Sequence, residues 1–166
     1  MSITIEEAGL RFGSYNAERL FHAERSGIYK SLGGGIRSVE FVLLSDSAEI
    51  LLVEAKSSSP KPGNQEDFDA FILNIYEKFT HSIDMFFSVI LKRLEDRENE
   101  VPECFKSTDY SEAKIKLILV IDGHEEPWLH PIRDALIREL SRQIKTWRLQ
   151  VAVLNHAMAG KYGLLC

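Results

Sequence analysis

The chain has 166 residues, of which 45% are hydrophobic and 27% charged, and its formal net charge is −5 at neutral pH. One domain over residues 1–166 suits that length and can bury a core without disulfides, while the acidic balance argues mildly against a surface that attracts nucleic acid all over and leaves room for a local basic face. No window approaches the roughly 18 uninterrupted apolar residues of a membrane span, the start lacks the pattern of a signal peptide, and Cys104 and Cys166 have no metal-ligand spacing, so a cytoplasmic protein with no membrane partner is expected.

Residues from about 16 to 32 read as a helix, with Ala17, Leu20, Phe21, Glu24 and Ile28 on one stripe and Gly33-Gly34-Gly35 as its stop. Two apolar runs follow, residues 39–44 and 50–56, joined by Ser45-Asp46-Ser47. They are rich in Val, Leu and Ile on both faces and read as a buried hairpin. After the Ser/Pro loop 57–63, Gly63 or Asn64 caps a long helix to about residue 97, its apolar stripe including Phe68, Ile75, Phe79, Ile83 and Leu94.

Residues 116–121 form a buried strand closed by Asp122-Gly123, and Glu125-Glu126-Pro127 opens a helix that runs to about Trp147. Residues 148–154 complete a strand-helix-strand unit with an expected parallel pairing. The expected fold class is therefore α/β, a mixed β-sheet flanked by helices.

Charges are rare on buried strands, which draws attention to Glu40, Glu54 and Lys56. Side chains alternate along a strand, so Glu54 and Lys56 point the same way. If Asp46-Ser47-Ala48 is a three-residue turn, Ser45 faces Glu49, and counting outward sets Glu40 opposite Glu54. Two such carboxylates repel unless a cation compensates. A divalent ion does so and activates a bound water, which a lysine can orient. Without such chemistry the same three residues form an ion-pair cluster at the end of a sheet.

The arrangement Glu40 … Glu54-Ala55-Lys56, after a helix carrying Glu18, resembles the PD-(D/E)xK nuclease superfamily. The hairpin spacing is especially similar to archaeal Holliday-junction resolvases and related restriction-type nucleases. The likeness spans residues 13–56. It implies a restriction-endonuclease-like fold built on a three-strand meander, of which two strands are legible, and a metal-dependent nuclease that hydrolyses phosphodiester bonds, DNA favoured, with Mg2+ or Mn2+. Carried over, Glu40 and Glu54 hold the metal and Lys56 acts on the attacking water. Glu18 adds a ligand from the first helix, with Glu24 in reserve. The family usually has Asp, often after Pro, where this chain has Val39-Glu40. The alternative is a catalytically inactive scaffold that serves as an interaction or regulatory subunit.

Further along, Arg138, Arg142 and Lys145 recur at helical spacing as a basic stripe suited to a nucleic-acid backbone. Gln65 resembles a position where some nucleases contact substrate. The phenylalanines of the long helix, Phe68, Phe71, Phe79, Phe86 and Phe87, read first as core packing, with an interface as the alternative if one side of a small sheet does not cover them all. A homodimer or protein partner would use that interface. Asp122-Gly123-His124-Glu125, at the end of a buried strand, is a candidate second site, although such residues are more often turn and helix-cap chemistry.

Overall fold

The computed structural model describes residues 1–166. The chain begins with an antiparallel hairpin that the sequence reading did not anticipate, β1 (Ser2–Glu7) and β2 (Leu10–Asn16). Ala8 and Gly9 turn it with φ of 53° and 80°, the two positive values that a two-residue type I′ turn requires.

The helix expected over 16–32 is replaced by three short pieces. A 3-10 turn, Ala17–Arg19, leads into the two-residue strand β3 (Leu20–Phe21), and helix α1 follows at Gly27–Ser31. Leu20 and Phe21 pair with Leu43 and Val42 and bury on opposite faces of the main sheet. A helical stripe would turn both toward one side. The sheet edge instead offers backbone partners and apolar cover on both faces, and that outweighs weak helical spacing. Ser26 caps α1 by accepting the N–H of Tyr29, and Gly33, at φ 78°, lies just past the helical segment.

β4 (Phe41–Leu44) and β5 (Glu49–Lys56) form the expected antiparallel hairpin. Phe41 lies opposite Val53 and Leu44 opposite Ile50, with Asp46-Ser47-Ala48 as the turn and Ala48 in the left-handed region. The ladder stops there: the Glu40 N–H donates to the carbonyl of Val53, which already faces Phe41, so the regular pairing does not continue to set Glu40 opposite Glu54 as counting from the turn expects.

The chain continues through α2 (Gln65–Ile90), α3 (Glu103–Lys106), β6 (Lys114–Ile121), α4 (Glu126–Glu139), α5 (Ser141–Trp147), β7 (Gln150–Leu154) and α6 (His156–Tyr162). The main sheet has the order β3-β4-β5-β6-β7, antiparallel through β5 and parallel from β5 to β7. It is a mixed sheet flanked by helices, as expected. α2 stops at Ile90, short of 97: Lys92 turns left-handed and the Arg93 N–H returns to the Ser88 carbonyl. The helix expected to Trp147 divides at Leu140. Helix α6, also unanticipated, is capped by Asn155 and ended by Gly163.

Alternation divides the core into two layers. Val42, Leu44, Ile50 and Leu52 bury against the face that carries α2 and α4, while Phe41, Leu43, Leu51 and Val53 bury against the β1-β2 hairpin and α6. Glu54 and Lys56, in β5, share parity with the first set, so they lie on the α2 side. No helix is long and apolar enough to cross a membrane.

Candidate functional site

Glu54 sits near the end of β5 and is wholly buried, at 0% exposure. A lone carboxylate there would be costly. Two ammonium groups compensate it: Lys78 Nζ from α2 lies 2.8 Å from Oε1, and Lys56 Nζ, two residues along the same strand, lies 3.2 Å from it. Neither oxygen has a hydrogen-bond partner, and Oε1 alone has the two ion-pair contacts. Burial pushes the Glu54 carboxyl above its ordinary range, and the two lysines offset only part of that.

Lys78 belongs to the face of α2 that packs on the sheet, one turn after Ile75 and beside Phe79, both fully buried. Its side chain is 12% exposed. Burial works to lower its pKa, but Glu54, Glu24 and Glu40 together outweigh that and raise it. Glu24, just past β3, reaches the same ammonium at 3.8 Å and forms the outer lip of the cluster, its side chain 41% exposed.

Glu40 precedes β4 and is held there by two backbone bonds: its N–H donates to the Val53 carbonyl, and its carbonyl accepts the Glu24 N–H. Burial, a carboxyl contact with Glu24 and the nearby charge of Glu54 raise its pKa to about 9. At neutral pH Glu40 is therefore protonated. Three carboxyl groups against two ammonium groups leave one excess negative charge, and the Glu40 proton cancels it.

From the other side α2 fixes the lead-in to β4. The Ser82 hydroxyl oxygen accepts the Val39 N–H at 2.8 Å, His81 Nδ1 accepts that of Arg37 at 3.0 Å, and Arg37 pairs with Glu77 at 2.7 Å. Glu77, Lys78, His81 and Ser82 thus form one helical face that clamps residues 37–40 and neutralises Glu54.

The structure brings together Glu40, Glu54 and Lys56, and adds Glu24 and Lys78. Glu18 is not among them. It lies exposed in the 3-10 turn at the other end of the strands, where the neighbouring Arg19 bonds to the Leu44 and Ser45 carbonyls. Five residues of strand separate Ser45 from Glu40, on the order of 16 Å. With no first helix to carry Glu18 inward, the reserve residue Glu24 takes the third carboxyl position.

Lys78 was missed altogether. Its signal was a charge within the apolar stripe of a helix otherwise lined by Phe and Ile on that face. The carboxyls are not arranged as a ready-made metal site, since no three His, Cys, Asp or Glu side chains stand together so as to hold an ion. The Lys78 ammonium lies among them instead.

Of the residues expected to contact substrate, Gln65 and Arg138 come together, lining a cleft of about 440 Å3 between the start of α2 and α4 with Phe68, His130 and Asp134. Arg142 and Lys145 are exposed on α5, beyond the break at Leu140. A larger cavity, about 810 Å3, is elsewhere, near the β4-β5 turn, lined by Arg19, Glu49 and Lys116 among others. At the C-terminal ends of the parallel strands, Ser59 meets His124 at 2.6 Å and Asp122 meets His156 at 3.3 Å; these pairs tie loops together.

Comparison of the chain with protein-family models, with curated proteins and with solved structures gives no match.

Proposed function

We propose that this protein is a metal-dependent nuclease that hydrolyses phosphodiester bonds, with DNA as its preferred substrate. The observation that carries the reading is the convergence of Glu40 and Glu54 at one end of the β4-β5 hairpin, where the charge of Glu54 acts on the Glu40 carboxyl and Lys56 lies 3.2 Å from Glu54. The sheet order around them supports it. An antiparallel run β3-β4-β5, then α2, then a strand parallel to β5 agrees with the three-strand meander expected of a PD-(D/E)xK nuclease, the third strand being β3.

The donor chemistry also suits the reaction. Glu54, Glu40 and Glu24 offer only oxygen, the ligand type that Mg2+ or Mn2+ prefers, although they do not stand together as a metal-holding group and Glu54 already faces two ammonium groups. When bound, such an ion supplies an activated water and a counter-charge for a phosphate oxygen.

The remaining work falls to the chain itself. Lys56, with its side chain 30% exposed beside fully buried Glu54, can meet substrate while staying anchored, and it orients the attacking water and shields charge developing on phosphate. Arg138 and Gln65 in their cleft, with Arg142 and Lys145 beyond it, are the proposed contacts to the nucleic-acid backbone.

A second reading has an observation of its own. Lys78 already neutralises Glu54, as a purely structural ion pair would, and that favours a catalytically silent scaffold acting as an interaction or regulatory subunit. Calorimetry with Mg2+ and Mn2+, and plasmid nicking on the same samples of wild type, Glu54→Gln and Lys56→Ala, separates the two. The hydrolase reading expects ion binding and nicking in wild type, loss of both in Glu54→Gln, and loss of nicking with binding retained in Lys56→Ala. Folded wild type that neither binds nor nicks overturns it in favour of the scaffold.

A further inference from the structure

The main sheet ends on β7, which pairs with β6 on one side and with no strand on the other. Edge strands are usually blunted by a charge, a proline or a bulge. β7 has none of these: Gln150-Val151-Ala152-Val153-Leu154 is uncharged, and its five pairs with β6 run in unbroken register. Alternate residues therefore turn an N–H and a C=O outward from the sheet. A groove of about 290 Å3 follows this edge, lined by residues 151–154 and by one face of α4 on which Glu126 and Arg133 are exposed. The phenylalanines of α2 do not compete for a partner, because Phe68, Phe79, Phe86 and Phe87 are buried in the core and Phe71 packs against it.

The charges of the groove are ordered along it. α4 connects β6 to a parallel β7, so it runs back antiparallel to both strands. Glu126 and Arg133 are seven residues apart, about two helical turns and on the order of 10 Å, and residues 151–154 cover about the same length of strand. Arg133 therefore marks the Val151 end of the groove and Glu126 the Leu154 end. Neither side chain forms an ion pair within the chain.

We infer that two copies of this chain join edge to edge through β7, antiparallel, about a two-fold axis that passes through the middle of this groove. A surface that pairs with itself must carry opposite charges at equal distances from its two-fold axis, and Glu126 and Arg133 flank the groove in that way. The rotation sets the two α4 helices side by side and antiparallel on one face, so Glu126 of each copy meets Arg133 of the other. The outward N–H and C=O groups of the two β7 strands bond to each other, and half-buried Val151 and Ala152 are covered. Two five-stranded sheets become one continuous sheet, with both Glu54 clusters on the same face. An unrelated extended peptide would satisfy the strand edge but not the paired charges. One strand pair and two helix faces bury a modest area, so the dimer belongs to the weak, reversible class. Its formation does not depend on the chemistry at Glu54.

The test is analytical ultracentrifugation over a wide range of protein concentration on wild type, Glu126→Arg, Arg133→Glu and the double variant, with circular dichroism to verify folding. Wild type should form a dimer that tightens as salt is lowered. Each single reversal turns two attractive contacts into two repulsive ones and is expected to weaken the dimer about tenfold. The double reversal restores attraction in the opposite sense and should return to within a few-fold of wild type. Hydrogen exchange gives a readout that needs no substitution: alternate β7 amides in wild type should gain protection as concentration rises. Wild type that stays monomeric at the highest concentration, a dimer that the reversals leave unchanged, or a double variant no tighter than the singles overturns the inference. Protection that appears elsewhere and not on β7 overturns it equally.

Discussion

The Ser82 hydroxyl on α2 accepts the backbone N–H of Val39 at 2.8 Å, one residue before Glu40, and both groups are buried. A small polar side chain in the apolar layer thereby replaces a β-ladder bond that the chain entering β4 would otherwise lack. Ser82→Ala leaves that N–H unsatisfied and is expected to cost about 1–3 kcal/mol, measured by urea unfolding. Ser82→Thr keeps the acceptor and should lose less. Equal losses in the two variants would mean that packing, not the hydrogen bond, sets the cost.

Lys78 and Glu54 answer to a different rule. Removing one partner of a buried ion pair strands the other, so Glu54→Leu alone should cost about 3–5 kcal/mol. Glu54→Leu with Lys78→Met replaces both charges by apolar groups and should recover most of that loss, because neither desolvation cost remains. A double variant as unstable as the single one would show that the pair is not energetically closed, with Lys56 or Glu40 as the stranded group.

The half of this site on β4 and β5 was legible in the sequence. A three-residue turn fixes the register, strand alternation puts Glu54 and Lys56 on one face, and Glu40 comes to the same end of the hairpin one residue beyond the last ladder pair. Its other half depends on tertiary choices that no local pattern carries. Glu24 joins because Leu20 and Phe21 pair as a sheet edge, although their spacing with Ala17 and Ile28 fits a helix equally well. Lys78 joins because α2 lays that face on the end of β5. The β1-β2 hairpin had its signal in Ile3 and Ile5 alternating before Ala8-Gly9, but alanine is an unusual residue for a left-handed turn position and hid it.

Glu40 makes stability depend on pH in an unusual direction. Its folded pKa is about 9 against an ordinary 4.5, so between those values the folded protein holds a proton that the unfolded chain has released. Stability on this account is fully present below pH 4.5 and is lost as pH rises toward 9. Glu54, also raised, acts in the same sense. Urea unfolding of the metal-free protein at pH 5, 7 and 9 should show falling stability, and Glu40→Gln should flatten the slope and be the more stable form at pH 9. A wild-type profile that rises over this range would mean that Glu40 is ionised in the folded state.

Arg138, on α4, shares its cleft with Gln65, while Arg142 and Lys145 lie exposed on α5 after the break at Leu140. The break means that the three do not form one straight helical stripe, so they need not act together on a single strand of substrate. Phosphate contacts release counterions, and each is expected to contribute about 0.9 to the slope of log affinity against log salt. Single alanine substitutions, read by DNA-binding titrations from low to moderate salt with the metal withheld, should lower that slope by this amount for each residue that touches the backbone. Arg138, held beside Gln65, is expected to show the full decrement and to weaken binding of unrelated sequences equally, as phosphate contacts do. An unchanged slope in all three variants would put the nucleic-acid path on another face, and the cleft between α2 and α4 would lose its assignment.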